Sequence, residues 1–274
     1  MVRIALLQMN SGIDPEVNCA RVEEALSNAG RGGAEILFTP EMSLLLDRDR
    51  KRASHTMSTQ DYHALPARLC EAAMREGVDL ALGSMPIPLP NGRSANRSFY
   101  FFANGREPTT YDKLHMFDVD LSTGESWRES KAYEPGPAVV WEGSTPLGRL
   151  GFTICYDMRF PALFSELGGC DVIAIPAAFT RPTGAAHWHV LLRARAIEAS
   201  AFVIAAAQVG EHEDGRETYG HSLVVDPWGE VLLDMGADGP DLAFCDIDIA
   251  RIGEVRAQVP SLANRRAMPT SEPK

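Results

Sequence analysis

An α/β fold is predicted by three features of this sequence: near-continuous apolar runs of strand length, amphipathic helical stretches between them, and turn residues where one gives way to the other. Runs such as CDVIAIPAA and AFVIAAAQV carry little polar alternation, as expected of strands covered on both faces. Hairpin signals occur beside the strand–helix units. A mixed arrangement is therefore expected rather than a purely parallel sheet.

The first strand is VRIALLQM at 2–9. A helix over Pro15–Arg31 follows, with Val17, Ala20, Val22, Ala25, Leu26 and Ala29 on its apolar side and Gly32-Gly33 as its stop. AEILFTP at 34–40 is a strand ended by Pro40. A polar, charged stretch leads into a helix at 60–76, stopped by Gly77. Residues 78–84 form another buried strand, and 84–92 read as a proline-punctuated surface turn. Residues 95–105 are an aromatic strand closing on a turn at Asn104-Gly105.

The second half repeats the rhythm: a strand at 147–155, a short helix at 159–167, a strand at 170–178, a helix at 185–199 and a strand at 201–209. Residues 221–235 form a hairpin, with Pro227 and Gly229 suited to its turn. A last strand at 241–249, a helix at 249–257 and an irregular tail after about 260 complete the chain. No linker rich in Pro, Gly or Ser divides it, so a single domain over residues 1–274 is expected.

A chain of 274 residues has ample core, since about 75% of the extended surface is buried at roughly 300 residues. Its net charge of -11 gives no basic footprint for nucleic acid or an anionic membrane surface. No apolar run approaches the ~20 residues of a membrane span, and the apolar N-terminal run is too short for a signal-peptide core. Cys19, Cys70, Cys155, Cys170 and Cys245 form no close C-x-x-C pair. They read as thiols of a reducing, cytoplasmic compartment. Neither G-x-G-x-x-G after the first strand nor G-x-x-x-x-G-K-[ST] is present, so no dinucleotide or nucleoside-triphosphate cofactor is expected.

Three reactive residues stand where apolar strands stop: Glu41, Lys113 and Cys155. Strand ends are where α/β folds usually hold their sites. Taken singly, each has an ordinary reading: a surface carboxylate, a solvated ammonium, a core thiol. Together they suit nucleophilic catalysis, because a thiol near its usual pKa is only slightly ionised at neutral pH and needs a base and a cationic neighbour.

The sequence resembles the nitrilase-like carbon–nitrogen hydrolases from about residue 2 to 265. The resemblance is carried, in order, by TPEMSL around Glu41, YDKLHMFDVD around Lys113, GFTICYDMRFP around Cys155, AHWHVLLRARAIE and YGHSLVVDPWGEVL. CYDMRFP and LLRARAIE look like the amidase branch that includes deaminated glutathione amidase and ω-amidase, whereas Tyr156-Asp157 replaces the Trp-Glu usual after the cysteine of nitrilases. The resemblance implies a four-layer αββα sandwich with two mixed sheets, usually dimerised, and no metal or cofactor. It implies a catalytic set of Glu41, Lys113 and Cys155, with Glu129 as a second glutamate and Glu125 a weaker candidate for that place. Pro135-Gly136 supports the alignment of Glu129. The expected substrate is a small carboxylate-bearing linear amide, most like deaminated glutathione. ω-Amidase activity on 2-oxoglutaramate, N-carbamoyl amino-acid hydrolysis and a non-catalytic metabolite-binding scaffold are the alternatives.

Around this set, Arg159 and Arg181 are candidates for a substrate carboxylate, through the bidentate pairing a guanidinium offers. Arg159 has an ion pair with Asp157 as its structural alternative. Tyr156, His187 and Trp188 are candidate pocket residues. Glu198 is expected to pair with Arg193 or Arg195. His187 and His189 lie two apart, on different faces of a helix, and H-E-x-x-H is absent, so no metal is expected. His189 stands where the branch usually carries Glu.

Overall fold

The computed structural model describes residues 1–120, 124 and 126–269. From the N-terminus come β1 (Val2–Gln8), α1 (Pro15–Arg31), β2 (Ile36–Phe38), α2 (Arg50–Met57), α3 (Gln60–Glu76), β3 (Asp79–Pro88), β4 (Ser94–Phe101) and β5 (Thr109–Asp112). A small ribbon follows, of β6 (Asp118–Asp120) and β7 (Ser126–Arg128), and then β8 (Trp141–Thr145), β9 (Gly148–Phe152), α4 (Pro161–Glu166), β10 (Val172–Ala174), α5 (Arg181–Ala199) and β11 (Phe202–Ala205). The chain ends with β12 (Val209–Glu211), β13 (Glu217–Tyr219), β14 (Leu223–Val225), β15 (Val231–Asp234), β16 (Asp241–Ile247) and α6 (Ala250–Gln258).

Two six-stranded sheets result, ordered β16-β1-β2-β3-β4-β5 and β15-β14-β11-β10-β9-β8. Each has a parallel centre, β1-β2-β3 in one and β9-β10-β11 in the other, flanked by antiparallel strands. Strand periodicity assigns the layers. Ala5, Leu37, Leu80 and Leu82 pack with Val22 and Leu26 of α1 and Leu65 and Leu69 of α3. Their neighbours Ile4, Leu6, Ile36 and Phe38 face the other way, into one cluster with the second sheet and with Leu163, Leu192 and Ala196 of α4 and α5. The order is helices, sheet, sheet, helices: the expected αββα sandwich.

Local chemistry explains the helix ends. The Asp14 carboxylate caps α1, accepting from the N–H groups of Glu16 and Val17. Gly77 ends α3 in the left-handed conformation that glycine adopts without penalty. Two segments differ from expectation. The polar stretch before residue 60 contains α2, which buries only Ala53 and Met57 and so shows no apolar periodicity. Residues 84–88, expected as a turn, continue β3 against β4 after a register shift. The segment after β2 bonds β3 as far as Ser84, and beyond it no strand among the described residues pairs that side of β3, so proline's missing N–H is tolerated.

Candidate active site

Four strand ends converge at one end of the sandwich. Glu41 follows β2 through Pro40. The chain there crosses closely over β3, and a Cβ on Gly83 would lie 2.2 Å from the Thr39 carbonyl oxygen. Gln208 Nε2 donates to the Glu41 carbonyl at 2.9 Å, fixing the crossing from the second sheet's side. Glu41 is 5% exposed. Its Oε1 accepts from Lys113 Nζ at 2.9 Å and from Asn96 Nδ2 at 2.9 Å, and its Oε2 accepts from the Ala178 N–H at 2.9 Å.

Lys113 follows β5 and is 2% exposed. Its backbone is clamped: its N–H donates to the Asn96 carbonyl, and its carbonyl accepts from Gly136 N–H at 2.8 Å. Gly136 is required at this approach, because a Cβ there would sit 2.2 Å from the Asp112 carbonyl oxygen. The ammonium also reaches both Glu129 oxygens, at 3.0 and 2.9 Å. Burial alone pulls the Lys113 pKa down, but the charges of Glu129 and Glu41 outweigh it and hold the group well above the usual lysine value. Glu129 is itself tied by the Phe117 N–H at 2.6 Å. Glu125 lies outside the described residues.

Cys155 is reached from β9 and is buried, 7% exposed. It begins a 3-10 turn over Cys155–Arg159 and has φ +49°. A side chain in that region is strained and persists only where its surroundings hold it. Here its N–H donates to the Pro176 carbonyl at 2.8 Å. Burial pushes the Cys155 thiol up, and Glu41 pushes it further, against the opposing effects of Lys113 and the Ala178 N–H. The resting group is a neutral thiol beside a carboxylate.

Asn96 and Asp157, neither of them among the expected site residues, also belong to this arrangement. Asn96 on β4 is fully buried, and its one amide nitrogen faces both Glu41 and Glu129, at 2.9 and 3.4 Å. Asp157 is also fully buried. It accepts from Tyr111 Oη at 2.7 Å and the Ile154 N–H at 2.9 Å, and it meets His115 through both the N–H and Nδ1. It thereby joins the Cys155 turn to residues on both sides of Lys113. The polar position two residues after Cys155 was the only available signal. Asp157 is thus no partner of Arg159, whose guanidinium instead lies 3.3 Å from His187 Nδ1 and 5.2 Å from the Phe179 ring centroid.

Glu41, Lys113, Cys155 and Glu129 line a cavity of about 530 Å³, together with Tyr156 and Phe179. Its lining also carries Arg48, just before α2, Arg50, the first residue of α2, and Arg128, Lys131 and Arg216. Arg128 is committed to Asp120 and Arg216 to Asp214. Among the described residues, no carboxylate lies within ion-pair distance of Arg48 or Arg50. Both were missed because arginines in a polar, charged stretch look like solvated surface.

Arg159, Arg181, His187 and Trp188 lie outside the cavity lining. Arg181 pairs with Glu217. Trp188 is 1% exposed and packed in the core; its indole N–H donates to the His221 carbonyl, so it is a satisfied core residue rather than a wall. Arg195 pairs with Glu198 and also donates to the Met158 carbonyl at 2.7 Å, bracing the Cys155 turn from α5. All five cysteines are free.

Residues 3–257 match the model of the carbon-nitrogen hydrolase family. The chain is 38% identical to a deaminated glutathione amidase of Yersinia enterocolitica, over 99% of this chain and 95% of that protein. It is 39% identical to one of Synechocystis, over 95% of this chain and 97% of the relative. Among solved structures, the Caenorhabditis elegans NitFhit protein superposes with a TM-score of 0.88 at 33% identity, covering 97% of this chain and 65% of that one. Saccharomyces cerevisiae Nit3 superposes with a TM-score of 0.81 at 25% identity, over 94% of each chain.

Proposed function

The chain belongs to the carbon-nitrogen hydrolase family, and we propose that it is an amidase cleaving a small carboxylate-bearing linear amide, deaminated glutathione, through a thioester on Cys155. The observation that carries this reading is the contact set Glu41–Lys113–Glu129 beside a buried thiol. The two carboxylates together keep the ammonium charged, and Glu41 also faces the thiol.

Glu41 takes the Cys155 proton as sulfur attacks the amide carbon. The carbonyl oxygen becomes an oxyanion facing the Lys113 ammonium and the Tyr156 N–H, donors each worth ~3–4 kcal/mol in such sites. Protonated Glu41 then passes its proton to the departing amine, leaving a thioester. Glu41 next deprotonates a water that attacks the thioester, and the acid leaves as Cys155 recovers its proton. The net reaction is amide plus water to carboxylic acid plus amine.

The substrate's carboxylate is assigned to the basic part of the lining, at Arg48 and Arg50; Arg159 lies outside that lining, against the rings of its residues Tyr156 and Phe179. The relatives named deaminated glutathione amidase support the choice of substrate. We take residues 1–274 as one domain acting in the cytoplasm without nucleic acid or membrane. Self-association is supported by apolar side chains left exposed on α5 and the β14–β15 hairpin, Val190 at 69% and Trp228 at 49% among them. No helix among the described residues is long and apolar enough to cross a membrane.

The test is a product assay with purified protein. Deaminated glutathione should yield cysteinylglycine and 2-oxoglutarate. Rapid turnover of 2-oxoglutaramate without that release would move the assignment to ω-amidase activity, and release of ammonia and carbon dioxide from N-carbamoyl amino acids would move it to that class.

A further inference from the structure

We infer a second site, a binding site for a zinc-class divalent ion, formed by His189, His221 and Asp234 outside the cavity. The three come from separate elements: His189 from α5, His221 from the link between β13 and β14, and Asp234 from the end of β15. Their ligand atoms lie within 4.8 Å of one another. His189 Nε2 is 3.1 Å from Asp234 Oδ2, and His221 Nδ1 is 2.9 and 3.1 Å from the two Asp234 oxygens.

Two imidazoles and one carboxylate are the donor set of zinc and its neighbours, whereas magnesium and calcium favour oxygen alone. Metal–ligand bonds of about 2.0–2.1 Å place tetrahedral donors roughly 3.3 Å apart. The nitrogen–oxygen separations observed need only a few tenths of an ångström to reach that spacing. An ion would replace the protons now shared between rings and carboxylate, and a water would complete its coordination.

The ligands are held before any ion arrives. His221 has φ +55°, its N–H donates to the Gly236 carbonyl at 2.7 Å, and its carbonyl accepts from the buried Trp188. Its ring stacks on Tyr219 with centroids 4.5 Å apart. Asp234 Oδ1 accepts from the Gly236 N–H at 2.9 Å. Such outer contacts orient metal ligands. A bound ion would clamp the outer face of α5 to the β14–β15 hairpin.

The experiment is equilibrium dialysis of the chelator-treated full chain against zinc, followed by elemental analysis, in a Cys155→Ala background so that the cavity thiol cannot compete. About one zinc per chain is expected, with affinity at least about tenfold weaker in His189→Gln and in Asp234→Asn. Cobalt bound to the Cys155→Ala chain itself should give a visible spectrum of nitrogen and oxygen ligation without an intense thiolate band, a readout that requires neither ligand variant to fold. Retention of no metal, equal retention in both variants, or a thiolate-type cobalt spectrum would overturn the site and leave a hydrogen-bonded His–Asp–His cluster. Amidase activity decides none of these outcomes, so failure here is distinct from failure of the catalytic reading.

Discussion

The two halves of the sandwich bring different things to the same cavity. The first sheet supplies charge: Glu41 after β2 and Lys113 after β5, with Asn96 of β4 bonded to both glutamates, are fixed by side-chain hydrogen bonds among buried polar groups. The second sheet supplies backbone: Cys155 after β9 is set by its own φ and the Pro176 carbonyl, and Ala178 after β10 aims its N–H at Glu41. One half is positioned by a network that fails when a partner is removed. The other is positioned chiefly by main chain, which truncation of the Cys155 side chain itself leaves in place. The difference predicts which substitutions damage chemistry alone and which damage chemistry and stability together.

The largest effect is expected on the second-sheet side. Cys155→Ala should lower amide hydrolysis by about 10⁴-fold or more, with a melting temperature close to that of the unaltered protein by calorimetry. Residual turnover within tenfold of the original would remove Cys155 from the mechanism.

Lys113→Met challenges the other half. The rate constant kcat should fall by about 10²–10³-fold through loss of an oxyanion donor. Urea unfolding should show a loss of roughly 3–5 kcal/mol, because two buried carboxylates lose their shared cation. A stability equal to that of Cys155→Ala would break the proposed contrast between the halves.

Asp157→Asn tests the link between them. His115 and the Ile154 N–H would lose a charged acceptor, and misplacement of the nucleophile turn should lower kcat by roughly tenfold. KM should change less than kcat, and Asp157→Glu should not restore the geometry. A change confined to KM would make Asp157 a substrate-pocket residue.

The smallest signal is a pH profile. Because burial and Glu41 raise the Cys155 thiol above its ordinary value, the thiol is neutral near pH 7 and ionises only in the alkaline range. Its alkylation by iodoacetamide should therefore keep accelerating beyond pH 9. A plateau below pH 8 would mean a preformed thiolate ion-paired with Lys113, and would take the proton-abstracting role away from Glu41.

Much of this was readable in the residues because apolar period and strand ends are local properties. Pro15–Arg31 and Gln60–Glu76 fall where helical spacing and glycine stops put them. Glu41, Lys113 and Cys155 stood out as polar groups at the ends of apolar runs. What stayed hidden depends on contacts between distant segments. Asn96 is an unremarkable strand residue until β4 sets it beside two glutamates. His189 loses any metal reading when compared only with His187, yet its partner Asp234 lies 45 residues on in the chain. Arg48 and Arg50 line a cavity that only the folded chain defines, and Trp188, readable as a wall residue or as a hydrogen-bonded packing residue, has its polar atom satisfied inside the core.

The central claim is that carbon–nitrogen cleavage passes through sulfur at Cys155 with Glu41 moving the protons. Its most direct test is mass spectrometry of the intact unaltered chain and its peptides after rapid acid quench during turnover of deaminated glutathione. The account predicts an added mass equal to the 2-oxoglutaryl group on the peptide containing Cys155, absent from Cys155→Ala. Turnover by the unaltered protein with no such adduct under any quench time, or an adduct on another residue, would contradict it.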